Sequence, residues 1–287
     1  EIEDWLTRFA TSEGASGRFE GDGGPFVDCA RVHRQPEPSG LGLVSVVTVD
    51  PGRDLDPGEP AAVIGEAQLA YASASSLYLA ATHWGRPRTL EQPVGVDLRD
   101  DMLVAEEPWT SVHRFDLSRA GEAAYRSSGR VAGSVRDQWA FSEHRGHLRV
   151  TATEQGQGGE AETSVVVLRE SDDRLDQVGS VRGLGRGEQV YAVRYVGDVG
   201  FVVTFRQVDP LHVIDLSDPT APRVAGELEM PGYSSYLHPV GEGRLLGVGA
   251  DVTEEGQRTG AQLSLFDVRD LSRPTRVAHL PLRFSYL

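Results

Sequence analysis

The chain has no lysine and no asparagine, and only three isoleucines, Ile2, Ile64 and Ile214. All 28 basic residues are therefore arginine. Without lysine there is no Schiff-base chemistry and no phosphate-loop lysine, and without asparagine there is no N-glycosylation sequon. The missing types are those encoded by AT-rich codons, so the bias is that of a GC-rich genome rather than a functional device. One cysteine, Cys29, excludes an internal disulfide. The expectation for it is a buried free thiol, because free cysteine is among the most buried residue types. No apolar run approaches the roughly 18 residues that a membrane span requires, and no signal-peptide pattern is present. The chain opens on Glu1 and closes inside the apolar stretch Leu280–Leu287, so both ends read as cut and the missing signal says nothing of a parent protein. Basic residues are outnumbered by 43 acidic ones, a net charge of -15. That argues against a phosphate-backbone binder, which needs a basic face to release counterions.

What the 287 residues do have is turns, with 33 glycines and 16 prolines. Ile2, Trp5, Leu6 and Phe9 share one face of a 3.6-residue period. Residues 1–24 are thus expected to form a short amphipathic helix and a loop. From residue 25 short strand-like runs take over, among them Val44–Val49, Ser76–Ala81, Ser164–Leu168 and Gly200–Thr204, bounded by Gly, Pro, Asp and Ser.

The runs repeat. A strand closing on an apolar-Asp-apolar triplet appears as Val47–Asp50, His113–Leu117, His212–Leu216 and Ser264–Val268, and Ser164–Arg169 fills the same slot with Arg169 in place of the acid. The aligned positions are spaced by 66, 53, 46 and 52 residues. A turn and a second strand follow each triplet: Ala61–Gly65, Gly129–Gly133, Asp176–Val181, Arg223–Leu228 and Thr275–Leu280. A hairpin completes each unit, pairing Ala70–Ala72 with Leu77–Leu79, Trp139–Phe141 with Leu148–Thr151, Tyr191–Tyr195 with Phe201–Val203, and Tyr236–Leu237 with Leu245–Val248. About four short strands per unit is the content of a β-propeller blade. A sandwich also has regular short strands, but it would not repeat one strand-turn-strand-hairpin order. The fold class expected is all-β, a β-propeller of four-stranded antiparallel blades over residues 25–287, in four to five repeats and an incomplete set. Residues 155–162 and 253–260 read as exposed insertions.

The string from Gly187 to Pro219, with Tyr236–Glu242, Leu263–Val268, Val27–His33 and Ser39–Leu43, resembles bacterial and archaeal secreted proteins with a C-terminal β-propeller distantly related to WD40 repeats. The resemblance covers roughly residues 25–285 and rests on long strings agreeing in order. It implies an extracellular or envelope-associated protein of a high-GC bacterium. It implies no activity.

Few residues invite chemistry. The recurring Asp50, Asp116, Asp215 and Asp267 read as turn acceptors. A ring of catalytic carboxylates is the alternative, but repetition in successive units and the replacement by Arg169 favour structure. Asp251, Thr253 and Glu255, followed by Gly256, loosely resemble a calcium loop. No bidentate acid follows, so a solvated turn is the stronger reading, with no cofactor expected and calcium as the alternative. The eight histidines include one local cluster, His144-Arg-Gly-His147, in a hairpin turn and without the zinc-enzyme spacing. His238 reads as a packed strand residue. Gly183–Gly187 lacks the dinucleotide spacing and reads as a turn between strands. No Gly-x-Ser-x-Gly elbow occurs. A Ser/His/Asp triad need not be contiguous, yet nothing points to one, so no catalytic residue is assigned. The functional expectation is a non-catalytic scaffold at the cell surface that binds a protein or a glycan, with no nucleic acid and no membrane span. The alternative is an extracellular hydrolase or lyase with its site in the propeller channel.

Overall fold

The computed structural model of the chain describes residues 26–50, 52, 59–85, 87–88, 104–105, 107–155, 160–205, 209–241, 243–253 and 257–283. The helix expected within residues 1–24 lies outside them. The described chain is all-β apart from two three-residue 3-10 turns. Its contacts divide it into two compact units, one built from residues up to Ala81 with Ser111–Gly129 and Asp172–Arg174, the other from Thr82–Thr110, Arg130–Ser171 and the chain from Leu175 onward.

A three-stranded sheet comes first, from β1 (Val32–His33), β2 (Leu43–Val46) and β3 (Ala61–Ile64), with β3 central. Then comes a first four-stranded blade, β4 (Leu69–Ala72), β5 (Ser76–His83), β8 (Trp109–Asp116) and β9 (Ala124–Ala132), interrupted by the small pair β6 (Pro87–Arg88) and β7 (Val104–Ala105). The second blade is β10 (Phe141–His144), β11 (His147–Gln155), β12 (Ala161–Ser171) and β13 (Arg174–Leu184). It joins the first in one eight-stranded sheet through a single parallel pairing of Arg174 with Ser128. The third blade is β14 (Gln189–Val196), β15 (Val199–Phe205), β16 (Asp209–Asp215) and β17 (Arg223–Met230). The fourth is β18 (Tyr233–Pro239), β19 (Arg244–Val252), β20 (Arg258–Asp267) and β21 (Thr275–Arg283).

The repetition reaches the backbone. The third and fourth blades each carry a bulge between their first two strands, at Val190/Ala192 and Ser234/Tyr236, and another between their last two, at Val213/Ile214 and Leu265/Phe266. Bulges bend and twist a strand, so equal placement gives the two blades the same local bends.

Burial explains the sequence pattern. In the third blade Gly200–Thr204 of β15 and Pro210–Ile214 of β16 are buried on both faces, which is why they read as continuous apolar runs rather than alternating ones. The fourth strands are the opposite: Val224 on β17 and Val277, Leu280 and Leu282 on β21 are exposed. One apolar cluster fastens the third blade to the fourth, with Ala192, Phe201, Val203, Leu211, Val213 and Met230 meeting Leu237, Leu245, Phe266 and Val268. The other unit has its own cluster, Ala61, Val63, Leu79 and Phe115. Arginines add bonds between blades. Arg149 of β11 donates Nη1–H to the Gly197 carbonyl at 2.5 Å, and Arg194 of β14 donates Nε–H to the Leu237 carbonyl at 2.8 Å.

Several expectations are corrected. Cys29 is exposed, not buried. It stands in the 3-10 turn Cys29–Arg31, where the Asp28 carboxylate accepts the Ala30 N–H and none of the three residues faces a core. Trp139 is not in a strand. Asp137 Oδ1 accepts the Trp139 N–H at 2.9 Å, holding Gln138–Ala140 in a 3-10 turn before β10. β2 ends at Val46, so Val47–Asp50 is not a strand end. Arg169 lies within β12, which runs on to Ser171. The strands beside the two insertions are longer than expected, with β11 reaching Gln155, β12 starting at Ala161 and β20 at Arg258.

Candidate functional site

The triplet acids are the first candidates to place, and three of them are turn acceptors. Asp116, Asp215 and Asp267 each end a third strand, and each accepts the backbone N–H two residues on, from Ser118, Ser217 and Arg269. Each also holds an arginine: Arg126, Arg223 and Arg269 respectively. Asp50 makes the same turn bond with Gly52. These bonds favour the carboxylate form. The Arg269 and backbone donors bring the Asp267 carboxyl down to about 2, and Asp116 and Asp215 move the same way through Ser118 and Ser217 and their arginines. A depressed folded-state pKa contributes stability that is present above the unfolded value near 4 and lost as pH falls through the folded one. Unfolding stability is therefore expected to decline as pH drops from about 4 to 2. Denaturant melts across that range should show a shallower decline in Asp267→Asn. An unchanged slope would contradict the assignment.

The triplet strands also place side chains three residues before the acid. There stand His113, His212 and Ser264, all buried. His113 lies in the first unit, with Nε2 3.2 Å from Ser39 Oγ and Nδ1 3.3 Å from Tyr125 Oη. Tyr125 in turn stacks on His33, and burial raises its phenol pKa. Gly65 leaves the room for this packing, because a Cβ there would come within 2.8 Å of Ser39 Oγ and 3.2 Å of His113 Nε2. His113 is thus enclosed among its own neighbours.

His212 is placed differently. It lines an open cavity of about 400 Å³ on the third blade, together with Gly183, Gly185, Arg186, Glu188, Pro210, Glu227 and Glu229. Thr204 of β15 donates to Glu188 Oε2 at 2.5 Å and lies 3.2 Å from His212 Nε2. His212 pairs across the sheet with Glu227, whose Oε2 is 3.6 Å from the ring Nδ1. Desolvation lowers the His212 pKa against the opposing pull of Glu188. Burial raises the Glu227 carboxyl, and the neighbouring Glu229 adds to it.

A third constellation lies where first strands converge. β14 packs on β18, with the Tyr191 and Tyr233 rings 4.5 Å apart. The turn before β10 packs on β14 as well. Along this edge the Arg194 guanidinium lies 4.1 Å from the Trp139 ring centroid and 5.2 Å from that of Tyr236. Tyr236 Oη is 3.1 Å from His238 Nδ1. Trp139 is 43% exposed and Tyr236 38%. Large aromatic side chains ordinarily bury that area. Both rings are thus exposed in a row held by one arginine. His238, expected to be packed, is exposed on β18.

The remaining sequence candidates stay local. Asp251 accepts from Thr259 Oγ1 at 3.1 Å and lies 3.7 Å from His279 Nε2, and Thr253 Oγ1 accepts the Gln257 N–H. Glu255 lies outside the described residues. Among the described residues no three His, Cys, Asp or Glu side chains are gathered to hold a metal ion. His144 and His147 face each other across a hairpin turn at Arg145 and Gly146, both with positive φ, and His144 reaches Asp198 of the next blade at 2.9 Å. Gly185–Gly187 form the turn between β13 and β14.

Residues 1–283 match the Beta propeller domain family. The chain belongs to that family. Four-stranded antiparallel blades that succeed one another along the chain are what such a fold is built from. Two relatives of the propeller are uncharacterised archaeal proteins. One, from Archaeoglobus fulgidus, is 42% identical over 165 residues, which is 58% of this chain and 24% of that protein. The other, from Methanocaldococcus jannaschii, is 37% identical over 174 residues, which is 60% of this chain and 27% of that protein. The propeller chain thus spans about a quarter of the length of the curated relatives it matches. No helix among the described residues is long and apolar enough to cross a membrane.

Proposed function

We propose that this propeller is a non-catalytic binding scaffold, exported or attached to the cell envelope, that recognises a protein or glycan partner through the edge formed by Trp139, Arg194, Tyr236 and His238. The observation that carries this reading is the exposed ladder itself. Trp, Tyr and Arg are the residue types that dominate binding hot spots. Here the two rings are held by an arginine whose Nε is tied to the Leu237 carbonyl, so little side-chain freedom is left to lose on binding. That composition favours a protein over a glycan. The net charge of -15 adds a salt-sensitive preference for cationic partners.

The test is co-purification of the full-length protein from its native envelope, beside Trp139→Ala and Tyr236→Ala forms whose fold is checked by circular dichroism. Each truncation is expected to weaken partner binding by about 2 kcal/mol, some thirtyfold. Equal recovery from all three would remove the ladder from the reading.

The alternative reading, an extracellular hydrolase or lyase, draws support from Glu227, a carboxyl whose pKa is raised by burial and by Glu229, beside His212, whose pKa burial lowers. A raised carboxyl pKa suits a general acid. Turnover of a screened glycan or peptide that is lost in Glu227→Gln would favour the enzyme over the scaffold.

A further inference from the structure

The cavity around His212 is independent of the aromatic ladder, and its hydrogen bonding is incomplete in a specific way. Thr204 has one hydroxyl proton and gives it to Glu188 Oε2. Its oxygen can therefore only accept from His212 Nε2, 3.2 Å away. This makes the neutral ring the Nε2–H tautomer and leaves a lone pair on Nδ1. His212 is 5% exposed, and its Nδ1 is buried without a hydrogen-bond partner. Glu227 Oε2, another acceptor, lies 3.6 Å from it. Two acceptors face each other with no hydrogen between them, and leaving such a buried group unpaired carries a desolvation cost.

The surroundings say which donor fits. Glu188, Glu227 and Glu229 line the cavity, and among the described residues the one arginine of its lining, Arg186, has its Nε 3.9 Å from Glu162 Oε2. Carboxylates thus outnumber cations three to one among the described lining residues. A metal ion would need several ligands already converging, and among the described residues none do so. An N–H cation needs only acceptors, each of which it meets with a separate hydrogen. The cavity volume, about 400 Å³, lies at the small end of the range for small-molecule sites.

We propose that this cavity is a binding site for a small organic cation bearing N–H donors, a primary ammonium or a guanidinium group, that donates to His212 Nδ1 and Glu227 and is flanked by Glu188 and Glu229. An ammonium nitrogen at ordinary hydrogen-bond distance from both acceptors requires the gap between Nδ1 and Glu227 to widen by about 1 Å. Glu227 permits this, because its side chain is 45% exposed. The buried His212, anchored through Thr204, keeps its place.

The experiment compares 1,4-diaminobutane with tetramethylammonium, a cation with no N–H, by calorimetric titration of the full chain at moderate salt, where diffuse attraction to the acidic surface is screened. Expected is saturable binding of the diamine and binding of tetramethylammonium about tenfold weaker or worse, the loss of one charged hydrogen bond. Glu227→Gln, a change at a half-exposed side chain, should weaken the diamine by a similar factor. A readout without substitution is the nitrogen spectrum of the histidine rings. The diamine should shift the His212 Nδ1 resonance and leave that of exposed His238 in place. Equal affinity for both cations, no saturable binding, or unchanged affinity in Glu227→Gln would each overturn the proposal. So would displacement of the diamine by stoichiometric zinc, which would make the cavity a metal site.

Discussion

Phe266→Ala is expected to lower the unfolding free energy by about 3–5 kcal/mol, the range for truncating a fully buried aromatic. Phe266 is 0% exposed and belongs to the cluster in which side chains of β14–β17 meet those of β18–β20. Truncation loses the apolar area of the ring and leaves a cavity that two sheets must close from opposite sides. Neither sheet can collapse freely, because the Arg194–Leu237 hydrogen bond and the Tyr191–Tyr233 contact hold the first strands at a set spacing. At about 2–4 °C per kcal/mol for a large domain, the midpoint of thermal unfolding should fall by roughly 6–20 °C. Calorimetry or denaturant melts read this directly. A loss under about 1 kcal/mol would mean that the cluster does not fasten the third blade to the fourth.

The blades were legible in the sequence, and the candidate site was not. Strand-ending acids repeat at Asp116, Asp215 and Asp267 because each turn needs a side chain to take up the N–H two residues on, so a local requirement left a local trace. The hairpins show for the same reason: Tyr191–Tyr195 against Phe201–Val203, and Tyr236–Leu237 against Leu245–Val248, are pairings across short turns. The ladder left no trace, because Trp139, Arg194 and Tyr236 come from three different blades and meet only through blade packing. Even Trp139 was misplaced, since the Asp137 cap that diverts it from a strand is one ordinary aspartate among many. The cavity left no trace either. His113 and His212 occupy the same slot of the repeat, three residues before the acid. What separates them is who stands opposite. His113 meets Ser39 and Tyr125, whereas His212 meets Thr204 and Glu227, and only the cross-strand register reveals it. Position in the repeat sets where a side chain goes, and the neighbouring strands set what it can do there.

Gly226→Ala is the second change with a large expected effect, and it tests how one blade packs on the next. Gly226 of β17 lies against the turn Asp270–Pro274 of the fourth blade. A Cβ there would fall well inside contact distance of the Leu271 carbonyl oxygen and 3.0 Å from Pro274 Cδ. Gly179 of β13 stands in the same relation to the turn Asp218–Pro222 of the third blade, against the Pro219 carbonyl and 2.9 Å from Pro222 Cδ. The turn cannot retreat. Asp270 holds it by accepting from the Ser272 N–H at 3.1 Å and from Arg273 Nε at 2.9 Å, and a proline closes it. The added methyl must therefore push the outer strand away from its neighbour, an overpacking cost of about 2–4 kcal/mol. Gly121→Ala serves as the control. Gly121 has a φ of +79° and nothing within 4 Å of an added Cβ, so alanine there bears only the left-handed strain of about 1–2 kcal/mol. Denaturant melts of the two variants separate crowding from backbone strain. If Gly226→Ala cost no more than Gly121→Ala, the outer strand of the third blade would not be seated on the turn of the fourth. If Gly179→Ala and Gly226→Ala cost alike, the seating is a property of the repeat, and the outer edge of one blade is held by the turn that follows the triplet acid of the next.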